Sequence, residues 1–100
     1  MKLNMSAQQF TADQKLLNFI QKKADKLDLF FDKIIDGEVF LRVNKDEAQE
    51  NKIIEMKLNV PGTTLFVKEK SKSFEAAADS AVEALRRQLK KHKGKLTDKF

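Results

Sequence analysis

Residues 54–67 read IEMKLNVPGTTLFV, and they set the fold class. Ile54, Met56, Leu58 and Val60 alternate with Glu55, Lys57 and Asn59, the period-two pattern of a strand with one buried face. Pro61-Gly62 interrupts the run. Proline suits the first central position of a type II turn, and glycine suits the second, where φ is positive. Leu65 and Val67 then resume the alternation as another strand.

The same pattern extends in both directions. Glu38–Asn44 alternates around Val39, Leu41 and Val43, with Asp36-Gly37 ahead of it as a turn signal. The polar run NKDEAQEN (44–51) reads as a hairpin loop, so three consecutive strands form an antiparallel meander. Near the start, Leu3, Met5 and Ala7 alternate with Asn4 and Ser6, a further short strand. TADQ (11–14) then has capping-box spacing, Thr11 to Gln14, with Asp13 in the first turn. The helix it opens is expected to run to about Phe30, with Leu16, Ile20, Ala24, Leu27 and Phe31 on one face. Ser73 is the expected N-cap of a second helix, whose core face is Phe74, Ala77, Ala78, Ala81, Val82, Leu85 and Leu89. Gly94 either ends that helix in a left-handed cap or lies within a frayed end reaching Leu96.

The order β-α-β-β-β-α predicts an α+β fold, a four-stranded sheet with both helices packed on one face, as in double-stranded-RNA-binding domains. One hundred residues make one domain, 1–100, with an ordered core at about 2–93 and a basic end at 94–100.

Composition removes several kinds of chemistry. There is no cysteine, hence no disulfide, thiolate metal site or cysteine nucleophile, and a reducing compartment is the natural home. His92 is the only histidine, so neither a catalytic set nor a zinc site is expected, and no cofactor or small-molecule substrate. Gly37, Gly62 and Gly94 are too scattered for a phosphate loop. Acid pairs such as Asp25/Asp28 and Asp46/Glu47 read as solvated surface. No apolar run approaches the ~20 residues that span a bilayer, so a cytoplasmic protein without a membrane partner is expected. It is expected not to be an enzyme.

Charge is the informative feature. Residues 1–83 carry a net charge of −1, whereas residues 84–100 carry +6. Six cations fall between Arg86 and Lys95 with no acid among them. The helix dipole stabilises one or two cations in a last turn, but like charges at i,i+4 repel. A polyanionic ligand that neutralises the cluster explains the rest. On the first helix Lys15, Lys22 and Lys26 lie within about 40° of one another, away from the apolar stripe. His92 falls at the edge of the second helix's core stripe, which makes it a half-buried residue first and a phosphate contact second. Phe40 and Phe66 take the outer phase of their strands, where they cover the sheet or meet a protein.

FIQKKADKLDLFFDKI (19–34), LNVPGTTLFV (58–67), FEAAADSAVEAL (74–85) and above all ALRRQLKKHKGKL (84–96) resemble bacterial ribosome hibernation-promoting factors, the ribosome-associated inhibitor A family. At this length the short form is expected. The resemblance implies a stress or stationary-phase factor bound to the small ribosomal subunit, on 16S rRNA and nearby ribosomal proteins. Family members occupy the channel of messenger and transfer RNA, inhibit translation and preserve idle ribosomes, often as ribosome dimers. Carried over by position, the RNA contacts are Lys22, Lys23 and Lys26 on the first helix. On the second they are Arg86, Arg87, Lys90, Lys91, Lys93 and Lys95, with His92 as a further candidate. The free protein is expected to be a monomer. Two rival readings are a general double-stranded-RNA binder and a basic helix that docks on an acidic protein. The acidic start of the second helix, Ser73 to Glu83, counts against the first of these.

Overall fold

The computed structural model describes residues 1–45 and 49–97, with backbone alone at 96 and 97. The chain runs β1 (Leu3–Ala7), α1 (Gln14–Phe30), β2 (Asp36–Val43), β3 (Lys52–Val60), β4 (Thr63–Ser71) and α2 (Phe74–Thr97). The sheet order is β1-β2-β3-β4. Val60 pairs with Thr63 across the connection, and Gly62 takes φ +87°, so Pro61-Gly62 is the two-residue turn its chemistry predicts. The β2–β3 and β3–β4 pairs are antiparallel, the expected meander. β1 pairs with β2 in parallel, which requires a crossover, and α1 supplies it. The middle of the polar 44–51 loop, with Asp46 and Glu47, lies outside the described residues, as does the chain end at 98–100.

Both helices cover one face of the sheet. Ile20, Ala24 and Leu27 of α1 and Ala78, Leu85 and Leu89 of α2 share a core with Val39, Leu41, Ile54, Met56 and Leu58. Each fully buried Leu or Ile contributes roughly 1.5–3 kcal/mol. The opposite face carries matched charges. Glu38 stands opposite Lys57, and Glu55 opposite Lys68. These cross-strand pairs account for the basic residue Lys68 in β4. Phe66 is 46% exposed there, and Phe40 is half-buried.

Two local expectations change. The N-cap of α1 is Asp13, whose side chain accepts from the Leu16 N–H at 2.8 Å, rather than Thr11. A carboxylate at the cap satisfies an orphan N–H and meets the positive dipole end together, which a hydroxyl two residues earlier does not. Asp36-Gly37 opens β2 instead of forming a turn. Of the two readings of Gly94 the second holds: it makes no left-handed cap, and α2 runs past it to Thr97. Ser73 caps α2 as expected, accepting from the Ala76 N–H at 3.1 Å. Asp13→Ala and Ser73→Ala are each expected to lower unfolding free energy by about 1 kcal/mol in urea titrations.

Candidate nucleic-acid interface

The two helices run side by side in the same sense. Lys23 of α1 meets Asp79 of α2, and Phe30, seven residues on, meets Arg86 and Lys93. Their C-terminal ends therefore lie at one end of the molecule. The negative dipole end of α1 lies against the basic stretch of α2, a setting that favours cations. α2 outruns α1 by roughly three turns, and its basic residues continue past the end of α1.

Between the helices lies a groove of about 250 Å³. Leu27, Phe30 and Val82 supply its apolar part, while Lys23, Lys26, Asp79, Glu83 and Arg86 supply its charges. Lys23 Nζ sits 2.9 Å from Asp79 and 5.5 Å from the centroid of the Phe19 ring. Arg86 approaches Glu83 at 3.7 Å and stands 5.3 Å from the centre of Phe30. Lys93 stands 5.2 Å from the same ring and donates to the Phe30 carbonyl at 3.3 Å. That bond compensates the C-terminus of α1, which has no basic residue of its own in its last turn. Phe30 thus holds two cations of α2 by their attraction to the negative ring face.

The acidic flank of α1 is turned elsewhere. The Met1 ammonium donates to Asp28 at 2.5 Å and to Asp25 at 3.0 Å, and Gln21 donates to the Met1 carbonyl at 2.9 Å. The bonds to Asp28 and Asp25 hold the ammonium above its ordinary pKa against a small opposing effect of burial. Burial pushes the Asp25 carboxyl up, but hydrogen bonds from Gln21 and the ammonium outweigh it and leave the carboxyl below its ordinary range. Asp25 and Asp28 therefore tie down the start of β1. They do not dilute the lysine-bearing side of α1.

The cations named from sequence do not all share one side. At ~100° per residue, Arg86, Lys90 and Lys93 fall within about 60° of one another on the α1 side of α2. Lys23 and Lys26 adjoin them across the groove, and Lys22 lies further round α1, exposed. Arg87, Lys91 and Lys95 form a second exposed row, its centre about 140° round the helix from the first. That row leans toward the β4 side, where Gln88 donates to the Phe66 carbonyl at 3.0 Å. His92 points between the rows toward the body. Its ring meets Phe31 edge-on at 5.7 Å, and Nε2 is buried without a partner among the described residues.

Phe30, Asp79 and Glu83 belong to the groove without having been singled out by sequence. Phe30 is four residues from Lys26 and seven from Lys23, the spacing that puts residues on one flank, so its place could have been found. Contact between Asp79 and Lys23 needs the tertiary pairing of the helices. Among the described residues, no group of three or more metal-ligating side chains is present, and no helix is long and apolar enough to cross a membrane.

The chain matches the family described as "Sigma 54 modulation protein / S30EA ribosomal protein" over residues 3–97, and it belongs to that family. A ribosome hibernation promoting factor of Pseudomonas putida is 32% identical over 95 residues, covering 95% of this chain and 89% of its own. One from Klebsiella oxytoca is 31% identical over 96 residues, covering 96% and 97%. A solved ribosomal subunit interface protein from Coxiella burnetii shares the fold, with a TM-score of 0.84 at 23% identity, covering 94% of this chain and 99% of the other.

Proposed function

We propose that this protein is a ribosome hibernation factor of the cytoplasm. It binds the small ribosomal subunit in the channel of messenger and transfer RNA, inhibits translation and preserves idle ribosomes. The observation that carries the reading is the gathering of cations at the shared C-terminal end of α1 and α2, in a chain whose relatives are named hibernation factors. Lys22, Lys23, Lys26, Arg86, Lys90 and Lys93 take phosphates along the α1–α2 side. Arg87, Lys91 and Lys95 take them on the far side of α2, and His92 orients the helix against Phe31 rather than touching RNA. Contacts of this kind read backbone position and shape, which suits an RNA of fixed architecture.

Co-sedimentation tests it. The protein is expected to travel with vacant small subunits, to be excluded from subunits preloaded with messenger and transfer RNA, and to ignore large subunits. With six or more phosphates engaged, the log–log dependence of affinity on salt should have a slope of roughly −4 to −5. Binding to preloaded and vacant subunits alike would reject the channel. Pairing of ribosomes would appear in the same gradients as a faster-sedimenting peak.

A further inference from the structure

We propose that Asp79 and Glu83 are selectivity residues. They hold phosphate backbone off the upper part of the α1–α2 groove, so that a continuous RNA duplex is disfavoured against RNA shaped to meet the basic end of α2. The inference rests on the RNA-binding reading above and refines which RNA that interface accepts.

Attraction between a basic surface and RNA carries no sequence information, so the cations alone would serve any duplex. Discrimination is a difference of affinities, and a repulsive element against the wrong partner is one way to create it. Asp79 and Glu83 are placed to be that element. They stand one turn apart on α2 and line the groove opposite Lys23 and Lys26. Their side chains are 54% and 59% exposed, open to an approaching phosphate. Each also competes with phosphate for a cation, Asp79 holding Lys23 and Glu83 lying by Arg86, so only an RNA fitted to the site gains their full contact.

Helix stability does not explain them. Glu75 lies in the first turn, where the dipole favours an acid, but that effect fades within a turn. Asp79 and Glu83 are further along, and as like charges at i,i+4 they repel each other. Their ion pairs are exposed, the kind that adds little to stability. The boundary they draw is sharp, because residues 84–97 contain no acid at all. A continuous RNA backbone is therefore welcomed along the outer half of α2 and disfavoured along the groove, where only the phosphates of a fitted RNA reach Lys23 and Lys26.

The test compares the full chain with its Asp79→Asn/Glu83→Gln variant, titrated against a plain RNA duplex and against purified small subunits across a salt series. The variant is expected to bind the duplex about tenfold more tightly, with a salt slope steeper by nearly two as Lys23 and Arg86 meet duplex phosphates without a competing acid. Its affinity for small subunits should change less than about threefold. A Glu75→Gln control should leave duplex binding unaltered. An unchanged duplex affinity, or equal gains for duplex and subunit, would overturn the proposal. A wild-type chain that fails to bind small subunits would instead overturn the ribosomal reading, and the duplex titration would still decide whether the two acids repel RNA. Circular dichroism of both variants checks that the fold is kept.

Discussion

Reversing the three cations on the α1 side of α2, Arg86→Glu, Lys90→Glu and Lys93→Glu together, is expected to reduce affinity for small ribosomal subunits by more than about 100-fold near physiological salt. Each reversal removes a phosphate contact and places a like charge against the phosphate, so the losses exceed simple deletion. The same change on the far row, Arg87→Glu, Lys91→Glu and Lys95→Glu, is expected to cost about tenfold. Its cations stand apart from Lys23 and Lys26 and so contribute to a narrower contact. The double change Lys90→Glu/Lys91→Glu takes one residue from each row and should fall between. All of these side chains are exposed, so the circular dichroism spectrum should be unaltered. The first variant also loses the contacts of Arg86 and Lys93 with the half-buried Phe30, which contribute about 0.5–1 kcal/mol each for cations that stay exposed. Thermal melting will register that loss separately from binding. Equal losses from the two rows would mean that the interface wraps α2, and the groove would have no special part in it.

The meander was legible because its signals are local. The alternation of Ile54 to Val60, the Pro61-Gly62 turn and the alternation of Leu65 and Val67 act within a few residues. The parallel register of β1 on β2 and the side-by-side run of the helices depend on how distant segments meet, and no local pattern encodes them. For the candidate interface, charge clustering singled out the cations themselves. It could not divide them into two rows, because the division depends on which side of α2 faces α1. Nor could it find the pairing of Asp79 with Lys23, which are 56 residues apart in the chain. Gly37 shows the same limit from the other direction. Beside Asp36 it has the local chemistry of a turn, yet its position inside β2 answers a crowding that only the assembled sheet creates.

Gly37→Val is accordingly expected to destabilise the fold by about 3 kcal/mol or more, and Gly37→Ala by about 2 kcal/mol. Gly37 is buried in β2 between Leu3 of β1 and Leu58 of β3, and its N–H donates to the Lys2 carbonyl at 2.9 Å. A Cβ there would stand 2.7 Å from Leu3 Cδ2, 2.9 Å from Leu58 Cδ2 and 2.8 Å from the Lys57 carbonyl oxygen. The two leucine tips can rotate aside at the expense of core packing. The carbonyl cannot, because it belongs to the backbone of the central strand β3, which is paired on both sides. Relief therefore has to come from moving one strand relative to the other, and β1, the short edge strand, is the element free to give way. Gly62→Ala provides the contrast. Nothing lies within 4 Å of a Cβ at Gly62, so only its positive φ resists substitution, at about 1 kcal/mol. Urea denaturation should rank the three variants Gly37→Val, Gly37→Ala, Gly62→Ala in decreasing loss. Because the α1–α2 groove is built on the helix side and tied by Lys23–Asp79 and Phe30, the folded fraction of each variant should still bind small subunits with wild-type affinity at low temperature. Loss of binding in proportion to stability, even under strongly native conditions, would mean that β1 and the groove form a single cooperative unit.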